Sequence, residues 1–285
     1  MTNVAVSLDH VGIGVTDLDR AAAQYMALGF SLTPLARHGG AVEPGGPVTA
    51  IGTANRCAMF GGGYIELIAV VDDSAPDYGL GARIARYEGV HILALATREP
   101  GAVADRLTAA GIAADGPLYL ERGADLGGTT GTARFERVVF PADTVPEGRI
   151  FYIDQLTPEL LWHPAYLDHP NGVRAVRSVT FAVPDATVSA GRLERIAAAA
   201  TGVLPAHAAR ATVTVLDRGA AADRFGPLTT DDGPQIVALA VSVADLSHAE
   251  AVLAANGVDY AAAEGGVEVD PAFCAGVHLS FVAED

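Results

Sequence analysis

Residues 8–30, LDHVGIGVTDLDRAAAQYMALGF, alternate between two faces and then change to a helical rhythm. Strand side chains alternate with period two, so His10, Gly12 and Gly14 share one face and Val11, Ile13 and Val15 the other. Asp17 is placed to cap a helix, Leu18, Ala22, Tyr25 and Met26 recur at helical spacing, and Gly29 is placed to end it. The strand-like runs FSLTPLARH, TANRCAMF and GYIELIAVV follow. The unit predicted is βαβββ.

The pattern returns. GVHILALAT at 89–97 puts His91 in the place of His10 and Ile92 in that of Val11, ahead of a helix led by Glu99 and Pro100, lined by Val103, Leu107 and Ala110, and ended by Gly111. The runs PLYLER, TARFERVVF and GRIFYIDQL complete this second copy. Its loop GADLGGTTG lacks a GxGxxG after a strand and any following Lys-Ser/Thr, so it reads as a hairpin connection rather than a phosphate cradle. A third copy opens with RSVTFAVPD, with Ser178 in the histidine position and Asp185 matching Asp17. A fourth opens with IVALAVSVADL, with Ala238 in that position, Asp245 matching Asp17, and later strands VDYAAAE, GGVEVDP and VHLSFVA. The expected fold class is α+β, four βαβββ modules forming two paired-module domains. The first domain spans 1–160, with modules at about 8–72 and 89–157; a proline-rich connection fills 161–174, and a degenerate pair 175–285.

Composition narrows the roles. The chain has 285 residues, half of them apolar, enough for two packed domains. A formal charge of -16 disfavours nucleic acid and anionic membrane surfaces as partners, and leaves a small-molecule substrate. The start MTNVAVSLDH lacks a secretory signal, and no apolar run is long enough to span a membrane, so a cytoplasmic protein is expected, as monomer or homodimer. Cys57 and Cys274 form neither a disulfide framework nor a CxxC.

If two modules pair around a shared cavity, His10 and His91 converge, joined by Glu66 and Asp154 from the last strand of each. Two imidazoles and two carboxylates make a candidate site for a divalent metal ion. A lone strand histidine is ordinarily a hydrogen-bonded structural residue; a pair at one position of two repeats, missing from the other two, favours a site. Glu66 sits in the otherwise apolar YIELIAV and needs a partner. A one-residue shift would exchange Asp154 for Gln155, and Glu159 is the fallback if the strand ends early. Arg134 and Arg137 are candidates for binding a substrate carboxylate or phosphate, set against surface pairing with Glu136 or Asp143. His163 and His169, in the connection, are candidates for touching substrate, set against capping and turn roles, and His278 reads as structural. No GxSxG occurs.

LDHVGIGVTDLDRAAAQYMALGF resembles the opening of vicinal oxygen chelate proteins, the glyoxalase, bleomycin-resistance and extradiol-dioxygenase superfamily; GTANR, YIELIAV and HPNGV are similar to its glyoxalase-like domain subfamily. The resemblance covers residues 8 to about 185. It implies metal ligands at His10, Glu66, His91 and Asp154, the last departing from the usual glutamate, and a Zn, Ni, Mn, Co or Fe(II) ion that chelates vicinal oxygens. The activity it implies is that of a lyase or isomerase working through a stabilised enolate, with Glu66 or Asp154 moving the proton. Two alternatives stand beside it: an Fe(II) dioxygenase using His10, His91 and one carboxylate, and a metal-free antibiotic-binding protein.

Overall fold

In the computed structural model, which describes residues 1–125, 130–141, 143–200, 202, 204–230 and 232–284, the strands join into one continuous sheet. The first module is β1 (Thr2–Gly14), α1 (Leu18–Ala27), β2 (Ala36–Gly40), β3 (Thr49–Met59) and β4 (Tyr64–Val70). A short helix, α2 (Leu80–Ile84), leads to the second: β5 (Gly89–Ala96), α3 (Pro100–Ala109), β6 (Asp115–Asp125), β7 (Thr130–Val139) and β8 (Arg149–Gln155). In each, the last strand lies parallel to the first, β4 beside β1 and β8 beside β5. The two modules meet along the antiparallel pair β1 and β5.

The third copy departs from the expected βαβββ. After β9 (Val173–Val183) and α4 (Ala186–Ala197), the next strand, β10 (Ala209–Asp217), already pairs parallel to β9. Among the described residues no middle strands stand between them. The intervening sequence, rich in alanine and carrying Pro205, has no alternating run from which to build them. Helix α5 (Arg218–Phe225) follows and packs on β9 and β10. The fourth copy is complete: β11 (Gln235–Val243), α6 (Leu246–Ala255), β12 (Tyr260–Ala263), β13 (Gly266–Val269) and β14 (His278–Ala283), with β14 parallel to β11. The two halves share the sheet, because residues Thr2–Leu8 of β1 pair antiparallel with β10 in seven consecutive registers.

Helix entry repeats as the sequence suggested. The carboxylates of Asp17, Asp185 and Asp245 accept hydrogen bonds from the backbone N–H of Arg20, Val188 and His248 at 2.9, 2.9 and 3.2 Å. At the other end of α1, Gly29 adopts φ +87°, a conformation costly for any side chain. The inward face of α1 is Leu18, Ala21, Ala22 and Tyr25, while Met26 turns to solvent, 54% exposed. The 161–174 connection is pinned by Asn171, wholly buried, whose amide donates to the Leu28 carbonyl at 3.0 Å and accepts from Val173 N–H at 3.1 Å.

Candidate active site

Two irregularities decide which side chains meet. β1 and β5 pair with Val11 opposite Leu93, but the register slips once at Asp9 and once at His91, each an extra residue on its own strand. About the Val11–Leu93 pair the two strands are equivalent. His10 opposite Ala94 then answers Ile92 opposite Gly12, and bulged Asp9 answers bulged His91. The expected match of His91 to His10 is thus off by one, and Ile92 holds the place of His10. The last strands follow: Glu66 stands beside Gly12, and the corresponding residue beside Ala94 is Phe151, not Asp154.

Between the modules lies a cavity of about 840 Å³, lined by His10, Glu66, Ile92, Phe151, Ile153 and Gln155 among others. His91 and Asp154 are not brought to it. The His91 ring lies against Tyr87 at 4.2 Å and its Nε2–H donates to the Tyr87 carbonyl at 2.8 Å; burial lowers its pKa to about 4, holding it neutral. Asp154 alternates with Ile153 and Gln155, so it faces away, and burial raises its pKa. A side chain on Gly12 would meet Ile92 at 2.8 Å, so this close approach of the two strands needs glycine.

His10 stacks on Tyr64 at 4.4 Å, and its Nδ1–H donates to Asp9 Oδ1 at 2.6 Å, which leaves Nε2 for the cavity. Asp9 is wholly buried; its Oδ1 also accepts from Gln155 Nε2 at 3.1 Å, and Oδ2 lies 3.5 Å from Nε2 of His207. Burial would raise the Asp9 pKa, but the His10 hydrogen bond and the nearby His10 and His207 rings hold it below the usual carboxylate value. Glu66 accepts from Asn55 Nδ2 at 2.6 Å and lies 3.9 Å from His38 Nε2, while His38 Nδ1 meets Thr53 Oγ1 at 2.7 Å. Here too burial acts upward and is outweighed by the charges of His10, His38 and Arg122 and by the Asn55 bond, so Glu66 stays ionised. Burial lowers the His38 pKa.

The weaker candidates separate. Arg137 lines the cavity, whereas Arg134 reaches Glu121 at 3.4 Å on the outside. His163 caps the 3-10 turn Pro164–Tyr166, accepting from Ala165 N–H, and His169 is a buried pin, accepting from Ser31 N–H at 2.9 Å and donating to the Met59 carbonyl at 2.7 Å. The second-half residue His278 pairs with Glu268 at 2.9 Å. Glu159 lies in the turn at 158–160 and, like Asp154, off the cavity. The loop GADLGGTTG falls partly outside the described residues. The sequence reading passed over Asp9, His38, Asn55, Arg122, Arg149 and His207. The adjacency Asp9-His10, and the alternation Arg149, Phe151, Ile153 along β8, were the available signals.

A divalent ion held by both modules would need donors from both. The first offers His10 and Glu66; the second offers Ile92 and Phe151. Among the described residues, no group of three or more His, Cys, Asp or Glu side chains is placed to hold a metal ion. The residues present do not fit the four-ligand centre.

Comparison with known proteins bears on both fold and site. The sequence model of a family described as "Glyoxalase-like domain" matches residues 8–197. No curated protein sequence matches the chain. Among solved structures, a hypothetical protein from Staphylococcus aureus is similar with a TM-score of 0.65 at 11% identity, over 99% of this chain and 100% of that one. A mutant of 4-hydroxymandelate synthase from Streptomyces coelicolor gives 0.58 at 13%, over 98% and 92%. The Mn(II)-bound glyoxalase from Novosphingobium aromaticivorans gives 0.51 at 13%, over 99% and 83%. At these identities the likeness is one of fold.

Proposed function

The chain belongs to the glyoxalase-like domain family of the vicinal oxygen chelate superfamily, and from that premise we propose that it is a lyase or isomerase moving a proton on a small oxygenated metabolite in the cavity between its first two modules. The observation that carries this reading is an acid–base pair in one cavity. His10 is backed by a buried carboxylate at 2.6 Å, and Glu66 is held ionised without an arginine salt bridge to occupy it among the described residues. Glu66 takes a proton from the carbon next to a carbonyl, and His10, oriented by its Nδ1–H bond to Asp9, gives one from Nε2 to the carbonyl oxygen. Return of a proton to the neighbouring carbon gives the isomer, and expulsion of a leaving group gives the lyase product.

A second reading, that of a metal-dependent enzyme, rests on one observation, His38 3.9 Å from Glu66; as they stand His10, Glu66 and His38 are not placed to hold an ion, and the three would have to draw together around it. Elemental analysis of untagged protein separates the two, since stoichiometric first-row metal that disappears in His10→Ala and stays in His91→Ala favours the ion.

The proton-transfer reading is tested by hydrogen exchange. In D2O, with a panel of small 2-oxo acids and phosphorylated hydroxyketones, the protein should exchange the carbon-bound hydrogen beside the carbonyl of a compound it binds, read by NMR. Glu66→Gln should slow exchange by about 100-fold or more while binding persists. Exchange unchanged in Glu66→Gln, or none with compounds that bind, sinks the proposal.

A further inference from the structure

We propose that the end of the cavity formed by Arg137 and Arg149 is an anion subsite that takes the carboxylate or phosphate group of the metabolite whose reacting carbon lies at His10 and Glu66. It deepens the proton-transfer reading and rests on it for the position of the reacting carbon.

The first observation is charge. A chain of formal charge -16 lines this one cavity with four arginines, Arg83, Arg122, Arg137 and Arg149, against two carboxylates, Glu66 and Asp77. Neither carboxylate forms an ion pair with these arginines among the described residues, although the charge of Glu66 acts on Arg149 across the cavity. Asp77 accepts from the backbone N–H of Gly79 and Gly81, both at 2.8 Å, and Glu66 is engaged by Asn55. Neither Arg137 nor Arg149 forms an ion pair with any described residue, and the buried Nε of Arg137 has no hydrogen-bond partner there. Arg149 is instead set over the face of Phe151, 5.9 Å from the ring centre.

The second observation is proximity in a poorly solvated place. Burial lowers the pKa of both guanidiniums, and each is disfavoured further by another arginine, Arg137 by Arg149 and Arg149 by Arg83. Buried arginines with no ion-pair partner among the described residues, offset across the cavity chiefly by the charge of Glu66, are a standing cost that an arriving anion relieves. Guanidinium is the group suited to this, because its planar fork meets a carboxylate or phosphate with two parallel bonds. Around it the wall is apolar, with Val139, Phe140 and Ile150, which keeps the contact strong.

Thermal unfolding with inorganic phosphate and with malonate, each against chloride at matched ionic strength, tests this without any turnover. The wild-type protein should gain a saturable rise in Tm with at least one of the two anions; phosphate alone points to a phosphate monoester, malonate alone to a carboxylate, and either supports the subsite. Arg137→Gln and Arg149→Gln should each weaken the apparent affinity by about tenfold or more, and Arg137→Gln should be at least as stable as wild type without anion. If one variant fails to fold, the other reads the same result. Glu66→Gln, which removes a negative charge acting on Arg149, should bind the anion at least as tightly as wild type. No rise above chloride in wild type, or an undiminished rise in the folded arginine variants, overturns the proposal. Anion binding without hydrogen exchange would sink the proton-transfer reading and leave the subsite standing.

Discussion

Replacing His91 by Gln should make the protein more resistant to acid. The ring is buried, and its pKa falls from the ordinary 6.5 to about 4 in the folded chain, first by burial and then by the charges of Arg83 and Arg86, against the Tyr87 bond. The folded value is the lower one, so between these limits the unfolded chain binds more protons. Stability is therefore unaffected above about pH 7 and falls as pH drops towards 4. At pH 4.5 the loss from this one group is about 2 to 3 kcal/mol, from the two pKa values and about 1.4 kcal/mol per unit. Gln can donate the same bond to the Tyr87 carbonyl, but it does not titrate. Urea unfolding followed by circular dichroism at about pH 8 and about pH 4.5 gives the difference between the two proteins at each pH. His38 and His169, also pushed down by burial, and Asp154, pushed up, are common to both and cancel. The variant should gain about 2 to 3 kcal/mol on wild type between the two conditions. A difference that is the same at both would refute the neutral, buried His91.

Two further outcomes follow from the strand registers. Ile92→His with Phe151→Glu places donors opposite His10 and Glu66; the metal-free variant should lose about 3 kcal/mol or more of stability and recover it on binding one Co(II) with a visible absorption band, and Co(II) binding no tighter than wild type would contradict the equivalence. A fragment ending at residue 175 should aggregate, because it uncovers the Thr2–Leu8 edge of β1 and removes His207 from buried Asp9; a soluble, folded monomer would show the second half dispensable.

What the sequence made legible followed from period-two alternation within single strands, and what it hid lay in the bulges. His10 and Glu66 come from β1 and β4, where alternation carries through, and both line the cavity. His91 is the extra residue of a bulge, which breaks the count between it and Ile92. The helix caps hold the lost register: Asp17, Asp185 and Asp245 stand seven residues after His10, Ser178 and Ala238, and Glu99, the cap of α3, stands seven after Ile92. Asp154 failed for a simpler reason, since counting by twos from Phe151 reaches Ile153 and Gln155 and passes it by. His207 could not be found this way. It reaches the site from a loop ahead of β10, and only the pairing of β10 with β1 brings that loop beneath Asp9.

The same backbone device thus has opposite chemical results on the two sides of the module pair. Each bulge turns one polar residue away from the cavity into a buried place where a lone charge would cost several kcal/mol. Asp9 meets His10, Gln155 and His207 there, so it keeps its charge and lends it to the imidazole above. His91 meets only a carbonyl and two distant arginines, so it gives its charge up. The cavity inherits that difference, with the polar pair His10 and Glu66 on one module and the apolar Ile92 and Phe151 in the matching places on the other. On the proposed reading the substrate's reacting oxygen and carbon lie against the first module, and its carbon skeleton and anionic group against the second, at Ile92 and Phe151 and at Arg137 and Arg149. Although the second half carries Ser178 and Ala238 in the histidine positions, its His207 stands 3.5 Å from Asp9 and so takes part in holding the carboxylate that backs His10.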